Sequence, residues 1–156
     1  MNFKDKIKEF NKDNKPFYIV DHDDGTFSLC LPLDLLDEGF RDYCQEAFDA
    51  FAAENGEPAV NGYFKTYGSG YDWQAAFQEV FKDDPNIGQV LYDCEAGGFF
   101  CYCNDLNIIS DLGRRFKSIC ENYKEFAPIV SAGIRNARIR EDAEEKLMKT
   151  VKGLLI

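Results

Sequence analysis

The sequence predicts an α+β fold: a small antiparallel sheet built from two hairpins, with about four helices packed mainly on one of its faces. Three observations lead to this prediction. Two pairs of β-rich runs are each joined by a glycine-containing turn, several segments carry apolar residues at helical spacing, and no repeated unit is visible. A length of 156 residues suits one core, so we expect residues 1–156 to form a single domain.

The first hairpin joins residues 17–21 to residues 26–31 through the turn His22-Asp-Asp-Gly25. An Asp-Gly pair between β-rich runs is a strong short-range hairpin signal, because both residues tolerate the positive φ of tight turns. The sequence therefore predicts two antiparallel strands here.

The second hairpin joins residues 89–94 to residues 99–103 through Gly97-Gly98. Side chains alternate between the two faces of a strand, which places Cys94, Cys101 and Cys103 on one face. We expect this face to lie against the core.

Helical spacing of apolar residues predicts helices over much of the remaining chain. The segments are 3–14, 34–54, 73–81, 110–128 and 128–152. We expect Ser110 to cap the fourth helix, Pro128 to end it, and a change of apolar phase near Arg140 to kink or break the last one. The stretch 56–70, which contains Asn61-Gly62, is expected to be a loop or a short hairpin.

Charge is unevenly distributed along this acidic chain, whose net charge is −10. Residues 1–15 carry +2, residues 16–113 carry 19 acids against three bases for a net −16, and residues 114–156 carry +4. An acidic field of this strength repels nucleic acid and anionic membranes and favours basic protein partners. We therefore expect no direct binding to nucleic acid or membrane.

No apolar run is long enough to span a bilayer, and the charged start Met1–Lys15 lacks the apolar core of a signal peptide. We therefore expect a cytoplasmic protein. Six cysteines are present, and a domain of this size with 15% aromatic residues needs no disulfide framework. They are interpreted as reduced thiols that are mostly buried.

Signatures of common enzyme chemistries are scarce in this sequence. The only histidine, His22, falls in a hairpin turn, and neither a phosphate-binding loop nor a dinucleotide fingerprint is present. Asp21, Asp23 and Asp24 lack the alternating oxygen ligands of a calcium loop, so a plain turn is favoured over a cation site. No cofactor is expected.

The cysteines of the second hairpin offer the alternative of a metal or thiol site. Cys94, Cys101 and Cys103 share a face, but zinc normally takes four ligands and prefers two to four residues between paired cysteines. Three small buried hydrophobic residues are the favoured interpretation. A small enzyme or metal protein that uses these thiols or the carboxylates stays open as the alternative function.

Four carboxylates of the predicted helix 34–54 give the most suggestive surface. Glu38, Asp42, Glu46 and Asp49 are spaced four, four and three residues apart, which would align them opposite the apolar face of a helix. Such a row approximates the phosphates of a nucleic-acid strand, although a plain solvated face also explains it. The sequence thus predicts a partner-binding stripe that mimics nucleic acid.

The C-terminal segment suggests a possible homodimer. In one interpretation the acidic face of a second copy pairs with four bases of this segment, Arg135, Arg138, Lys146 and Lys149. The competing interpretation is pairing within the helix, between Asp142 and Lys146 and between Glu145 and Lys149.

One resemblance gives these observations a context. The run Gly113-Arg-Arg-Phe-Lys-Ser-Ile-Cys120, followed by Phe126-Ala-Pro-Ile-Val130 and Gly133-Ile134, resembles small acidic uncharacterised proteins of phages and conjugative elements of Gram-positive gut bacteria. The resemblance implies an accessory protein that binds or inhibits host nucleic-acid machinery, in the manner of anti-restriction or anti-CRISPR proteins. The function expected from the sequence is a non-enzymatic, acidic protein-binding module.

Overall fold

The computed structural model describes residues 2–55, 59–60, 63–64 and 67–154, and the side chains of residues 59–60 and 63–64 lie outside this description. In chain order the elements are α1 (Phe3–Asp13), β1 (Tyr18–Asp21), β2 (Phe27–Leu31), α2 (Gln45–Glu54), β3 (Ala59–Val60), β4 (Tyr63–Phe64), α3 (Gly70–Val80), β5 (Leu91–Tyr92), β6 (Phe99–Cys103), α4 (Leu106–Cys120) and α5 (Tyr123–Leu154). This arrangement confirms the predicted α+β class.

The two predicted hairpins form one antiparallel sheet with the strand order β1-β2-β6-β5. The hairpins meet along β2 and β6, where Leu29 pairs with Cys101. In the second hairpin Tyr92 pairs with Cys101, so both lie on the same face, as the alternation predicted.

The helices pack against one face of this sheet, and the side chains of β2 and β6 show why. Phe27, Leu29 and Leu31 of β2 are buried on this face, as are Phe99, Cys101 and Cys103 of β6. The opposite face carries partly exposed residues, among them Tyr102. Burial therefore selects one face for the core, as predicted.

An amide side chain of α1 covers the outer edge of the sheet. The side chain of Asn11 donates to the carbonyl of Ile19 over 3.2 Å and accepts from its N–H over 2.7 Å. Ile19 lies on β1, whose outward backbone groups would otherwise stay unpaired, and a row of unpaired edge groups invites strand addition by another chain. Asn11 thus closes one site on this edge.

The long helix predicted over residues 34–54 is wrong in its first half. Leu33–Leu35 and Glu38–Phe40 form short 3₁₀ turns, and the α-helix begins only at Gln45. Asp42 and Cys44 have φ angles of 58° and 55°. These left-handed residues interrupt right-handed helix geometry, so the apolar periodicity of this segment reflects packing rather than helix.

The boundaries of α4 also differ from the prediction. Asp105, not Ser110, is the N-cap, because its carboxylate accepts from the N–H groups of Asn107 and Ile108. Ser110 lies inside the helix, and its hydroxyl donates to the Leu106 carbonyl over 2.6 Å. The helix ends at Cys120, well before Pro128.

α5 runs for 32 residues as one helix, so the predicted break near Arg140 is wrong. Pro128 lies near the start of α5 and has no N–H to donate to the carbonyl of Lys124, four residues earlier. Both residues are exposed. Burial on α5 ends after Ile134 and half-buried Ala137. The change of apolar phase therefore coincides with the point where burial on α5 ends.

Residues 56–70 were expected to contain a loop or a short hairpin. β3 and β4 pair antiparallel, with Val60 opposite Tyr63. The predicted Asn61-Gly62 turn itself lies outside the described residues.

Candidate functional site

The predicted carboxylate stripe lies on the segment we call the acidic segment, residues 34–49. Because its first half is not helical, Glu38 sits in a 3₁₀ turn, Asp42 has a left-handed backbone, and only Glu46 and Asp49 share a helix. The single helical row expected from the sequence is therefore wrong in geometry. The segment nevertheless gathers six acids against one base, Arg41.

Most carboxylates of the acidic segment face solvent without a cationic partner. Asp34, Asp37, Glu38, Asp42 and Glu46 are exposed, while Asp49 is half-buried. Among the described residues the only ion pair made by these six acids joins Asp42 to Arg41 over 3.7 Å, with both side chains more than three-quarters exposed. Since an exposed pair of this length contributes little, the surface keeps its negative potential.

Aromatic packing fixes the acidic segment despite its irregular backbone. The ring of Tyr43 stacks on Trp73, with 6.1 Å between centroids and 8° between planes, and makes edge contacts with Phe17 and Phe40. Gln45 donates to both the Asp49 carboxylate and the Tyr67 carbonyl over 3.0 Å. The carboxylates are thus presented from a fixed scaffold, which lowers the entropy lost on binding.

The three cysteines of the alternative site, Cys94, Cys101 and Cys103, pack in or against the hydrophobic core. Cys101 and Cys103 are buried on the core side of β6, and burial raises the pKa of Cys101 well above its usual value. The Cys94 thiol donates to the Phe100 carbonyl over 3.3 Å, and burial raises its pKa as well. No three potential ligands are grouped for a metal anywhere in the part of the chain that the structure describes.

His22 is brought into a constellation that the sequence analysis did not assemble. Its Nε2 lies 2.6 Å from the Ser28 hydroxyl, on the open face of the sheet. The two residues line a hollow of about 390 Å³ together with Asp24, Asp93 and Tyr102. The pKa of Asp24 is lowered, chiefly by the hydrogen bond from the Thr26 hydroxyl.

This hollow offers little for acyl transfer. His22 and both carboxylates are exposed, so the site is a surface basin and not the deep cleft that an enzyme would favour. Ser28 lies on a central strand, whose N–H groups are taken up by the neighbouring strands. That strand therefore has no pair of free N–H groups to stabilise an oxyanion beside the hydroxyl.

A second cluster of polar side chains that the sequence did not reveal joins Tyr43 and Cys44 of the acidic segment to Cys120 of α4. The Tyr43 hydroxyl is 3.5 Å from the Cys120 thiol, which also interacts with Cys44. Burial raises the pKa of both Tyr43 and Cys120. Residues 77 positions apart meet here, and no local sequence pattern signals such a contact.

Comparison with family models, curated proteins and solved structures finds no match to this chain. Among the described residues, no helix combines the length and apolar character needed to cross a membrane.

Proposed function

We propose that this protein is a non-catalytic binding module whose acidic segment contacts a basic protein surface that otherwise holds nucleic acid. Five exposed carboxylates on a fixed scaffold, almost without compensating cations, carry the proposal. Lys and Arg side chains that are positioned to bind phosphates can bind carboxylates in the same way, by donating charge-assisted hydrogen bonds to them.

The irregular backbone changes how the mimicry works. Glu46 and Asp49 occupy one turn of α2, and Glu38 and Asp42 extend the charged surface beyond the helix start. The carboxylates therefore do not form one straight helical row, and the proposed binding depends on their exposure and charge. Inhibition follows because the occupied groove is closed to nucleic acid, which is the anti-restriction or anti-CRISPR type of action.

An affinity capture from host lysate tests the proposal, using the parent protein and a variant with Glu38, Asp42, Glu46 and Asp49 changed to their amides. Four charged contacts worth about 0.5 kcal/mol each, three of them from exposed carboxylates and one from half-buried Asp49, predict roughly 30-fold weaker binding of a nucleic-acid-handling protein. The parent should also lose its partner at high salt, because exposed charges are screened.

The matched control changes four exposed acids elsewhere, Glu9, Asp13, Asp83 and Glu125, to their amides. It alters net charge equally and should retain the partner. If both variants lose the partner equally, net charge alone explains the loss of binding and the acidic segment has no specific role. Equal capture of the partner by the parent and the test variant would contradict the proposal.

A second candidate function is hydrolysis at the open sheet face. The 2.6 Å contact between His22 and Ser28 is the one observation in its favour, and the exposed basin and the lack of free N–H groups on β2 stand against it. Activated esters and a serine-directed phosphonate probe are the appropriate reagents. Labelling of the parent but not of Ser28→Ala would support this activity. If the parent shows neither turnover nor labelling, hydrolysis at this site is ruled out.

A further inference from the structure

The second half of α5 extends beyond the packed part of the molecule. Every residue from Arg138 to Leu154 is exposed, whereas Val130 and Ile134 of the same helix are buried. Seventeen residues at 1.5 Å each make this projecting helix about 25 Å long. Near its start Arg138 lies over the rings of Phe51 and Tyr67, and Arg140 donates to the side chain of Gln78 over 3.2 Å. From Glu141 onward every described residue is exposed, and isolated helices of this length are marginal in water.

An apolar stripe follows one side of the projecting helix. Ile139, Leu147, Val151 and Leu154 are between 41% and 81% exposed, and Ala143 completes the row. Their spacing of four, four, four and three residues keeps them on one face. At about 100° per residue this face is turned by roughly 140° from that of Val130 and Ile134, so it is a surface separate from the core.

Charge along the projecting helix changes sign near its middle. Its first half, residues 138–145, holds four acids (Glu141, Asp142, Glu144 and Glu145) against Arg138 and Arg140, a net charge of −2. From residue 146 onward the helix carries only cations, Lys146, Lys149 and Lys152. Lys149 pairs with Glu145 over 3.4 Å within the helix. A parallel pair of such helices sets acid beside acid and lysine beside lysine, whereas an antiparallel pair sets each acidic half beside a basic half.

We propose that the projecting helix pairs antiparallel with the same segment of a second copy, with Leu147 at the two-fold axis. Centred there, Ala143 faces Val151 of the second copy, Ile139 lies near Leu154 of the second copy, and Glu144 lies near Lys152 of the second copy. This pairing is self-complementary, as a two-fold interface requires. It also sets the two packed bodies at opposite ends of the seam.

The seam is short compared with standard protein interfaces, so we expect a dissociation constant on the order of 10 µM. Sedimentation of the full chain from about 1 µM to 200 µM should therefore show a monomer–dimer equilibrium. Leu147→Gln with Val151→Gln removes four apolar groups from each dimer and should weaken association at least 100-fold.

Met148→Gln is the matched control, because Met148 is 55% exposed on the same turn but lies off the stripe. It should change association less than about threefold. All three substituted positions are solvent-exposed, so circular dichroism should show the body folded in every variant. A protein that stays monomeric at 200 µM, or a dimer indifferent to the double variant, would overturn the proposal.

Single cysteines test the orientation. Leu147→Cys faces itself across the axis and should form a disulfide-linked dimer with oxidised glutathione, above the background given by the parent's own six cysteines. Ile139→Cys lies eight residues from the axis, which separates the two copies of residue 139 by about 24 Å and prevents the bond. Cross-linking of both variants means a parallel pair and contradicts the antiparallel seam.

Discussion

The acidic segment and the projecting helix differ in what gives them shape. The acidic segment has an irregular backbone, yet the stacking of Tyr43 on Trp73 holds it to the core. The projecting helix has regular hydrogen bonding, and its residues are exposed. A charged surface fixed by tertiary contacts is preorganised for a partner of opposite charge, whereas a helix with an uncovered apolar stripe gains stability from a partner.

The largest effect should come from Trp73→Ala, which removes the ring beneath the acidic segment. Trp73 is 1% exposed, and its ring also contacts Phe48 and Phe126. We expect a loss of about 3–5 kcal/mol in the free energy of unfolding, measured with urea. A loss below about 1.5 kcal/mol means that the aromatic cluster does not anchor the segment.

Each half of α5 contains one glycine that can be used to compare them, Gly133 in the packed half and Gly153 in the projecting half. A Cβ on Gly133 would lie 2.6 Å from the Ala75 carbonyl oxygen, whereas a Cβ on Gly153 meets nothing within 4 Å. Gly133→Ala should therefore cost about 1–3 kcal/mol of global stability despite the better helix propensity of alanine.

Gly153→Ala serves as the control for this substitution. It should leave the denaturation midpoint of the body unchanged and raise helical circular dichroism slightly. Stabilisation by both substitutions would show that α5 does not pack closely on α3 at Gly133.

Asp42→Gly distinguishes the observed turn from the helix that periodicity suggested. Asp42 has a positive φ, so glycine should be neutral or stabilise the protein by up to about 1 kcal/mol. In a helix Asp42→Gly would cost a few tenths of a kcal/mol, because aspartate is itself a poor helix former, whereas Ala50→Gly in the middle of α2 should cost about 1 kcal/mol. Destabilisation by Asp42→Gly would favour a helical segment.

The smallest effect concerns the ion pair between Arg115 of α4 and Asp84, 2.8 Å apart. The hydrogen bond from Arg115 lowers the pKa of Asp84. Because the folded pKa is below the unfolded one, the stabilisation is present above the unfolded pKa of about 3.8 and is lost as pH falls through the folded pKa.

Asp84→Asn should therefore lower stability by less than about 1 kcal/mol at pH 7. Its difference from the parent should shrink below pH 4. Lys149→Gln, which breaks an ion pair of the projecting helix, should leave the unfolding of the body unchanged at both pH values. A difference for Asp84→Asn that grows on acidification would contradict the assigned pKa direction.

The parts of the fold that the sequence predicted depend on local signals. The Asp-Gly and Gly-Gly turns located both hairpins, and strand alternation placed Cys101 and Cys103 on the core side. The start of α4 was harder to predict from the sequence, because Asp105 and Ser110 are both good capping residues and only tertiary packing determines which of them caps the helix.

Long-range contacts account for most of what the sequence did not reveal. The left-handed backbone at Cys44 accompanies the packing of the adjacent Tyr43 on Trp73, which lies 30 residues away and leaves no periodic trace. The contact between His22 and Ser28, in contrast, follows from the hairpin register and was accessible to strand alternation. The binding role of Glu38, Asp42, Glu46 and Asp49 stays a prediction.

Competition by nucleic acid tests the proposed function most directly. The protein captured by the acidic segment is titrated with its own nucleic acid in the presence of this chain, and binding of both is followed at low salt. We predict mutual exclusion, with the apparent affinity for nucleic acid falling in proportion to the concentration of the chain and recovering with the four-amide variant. A ternary complex that holds this protein and nucleic acid together would contradict the account.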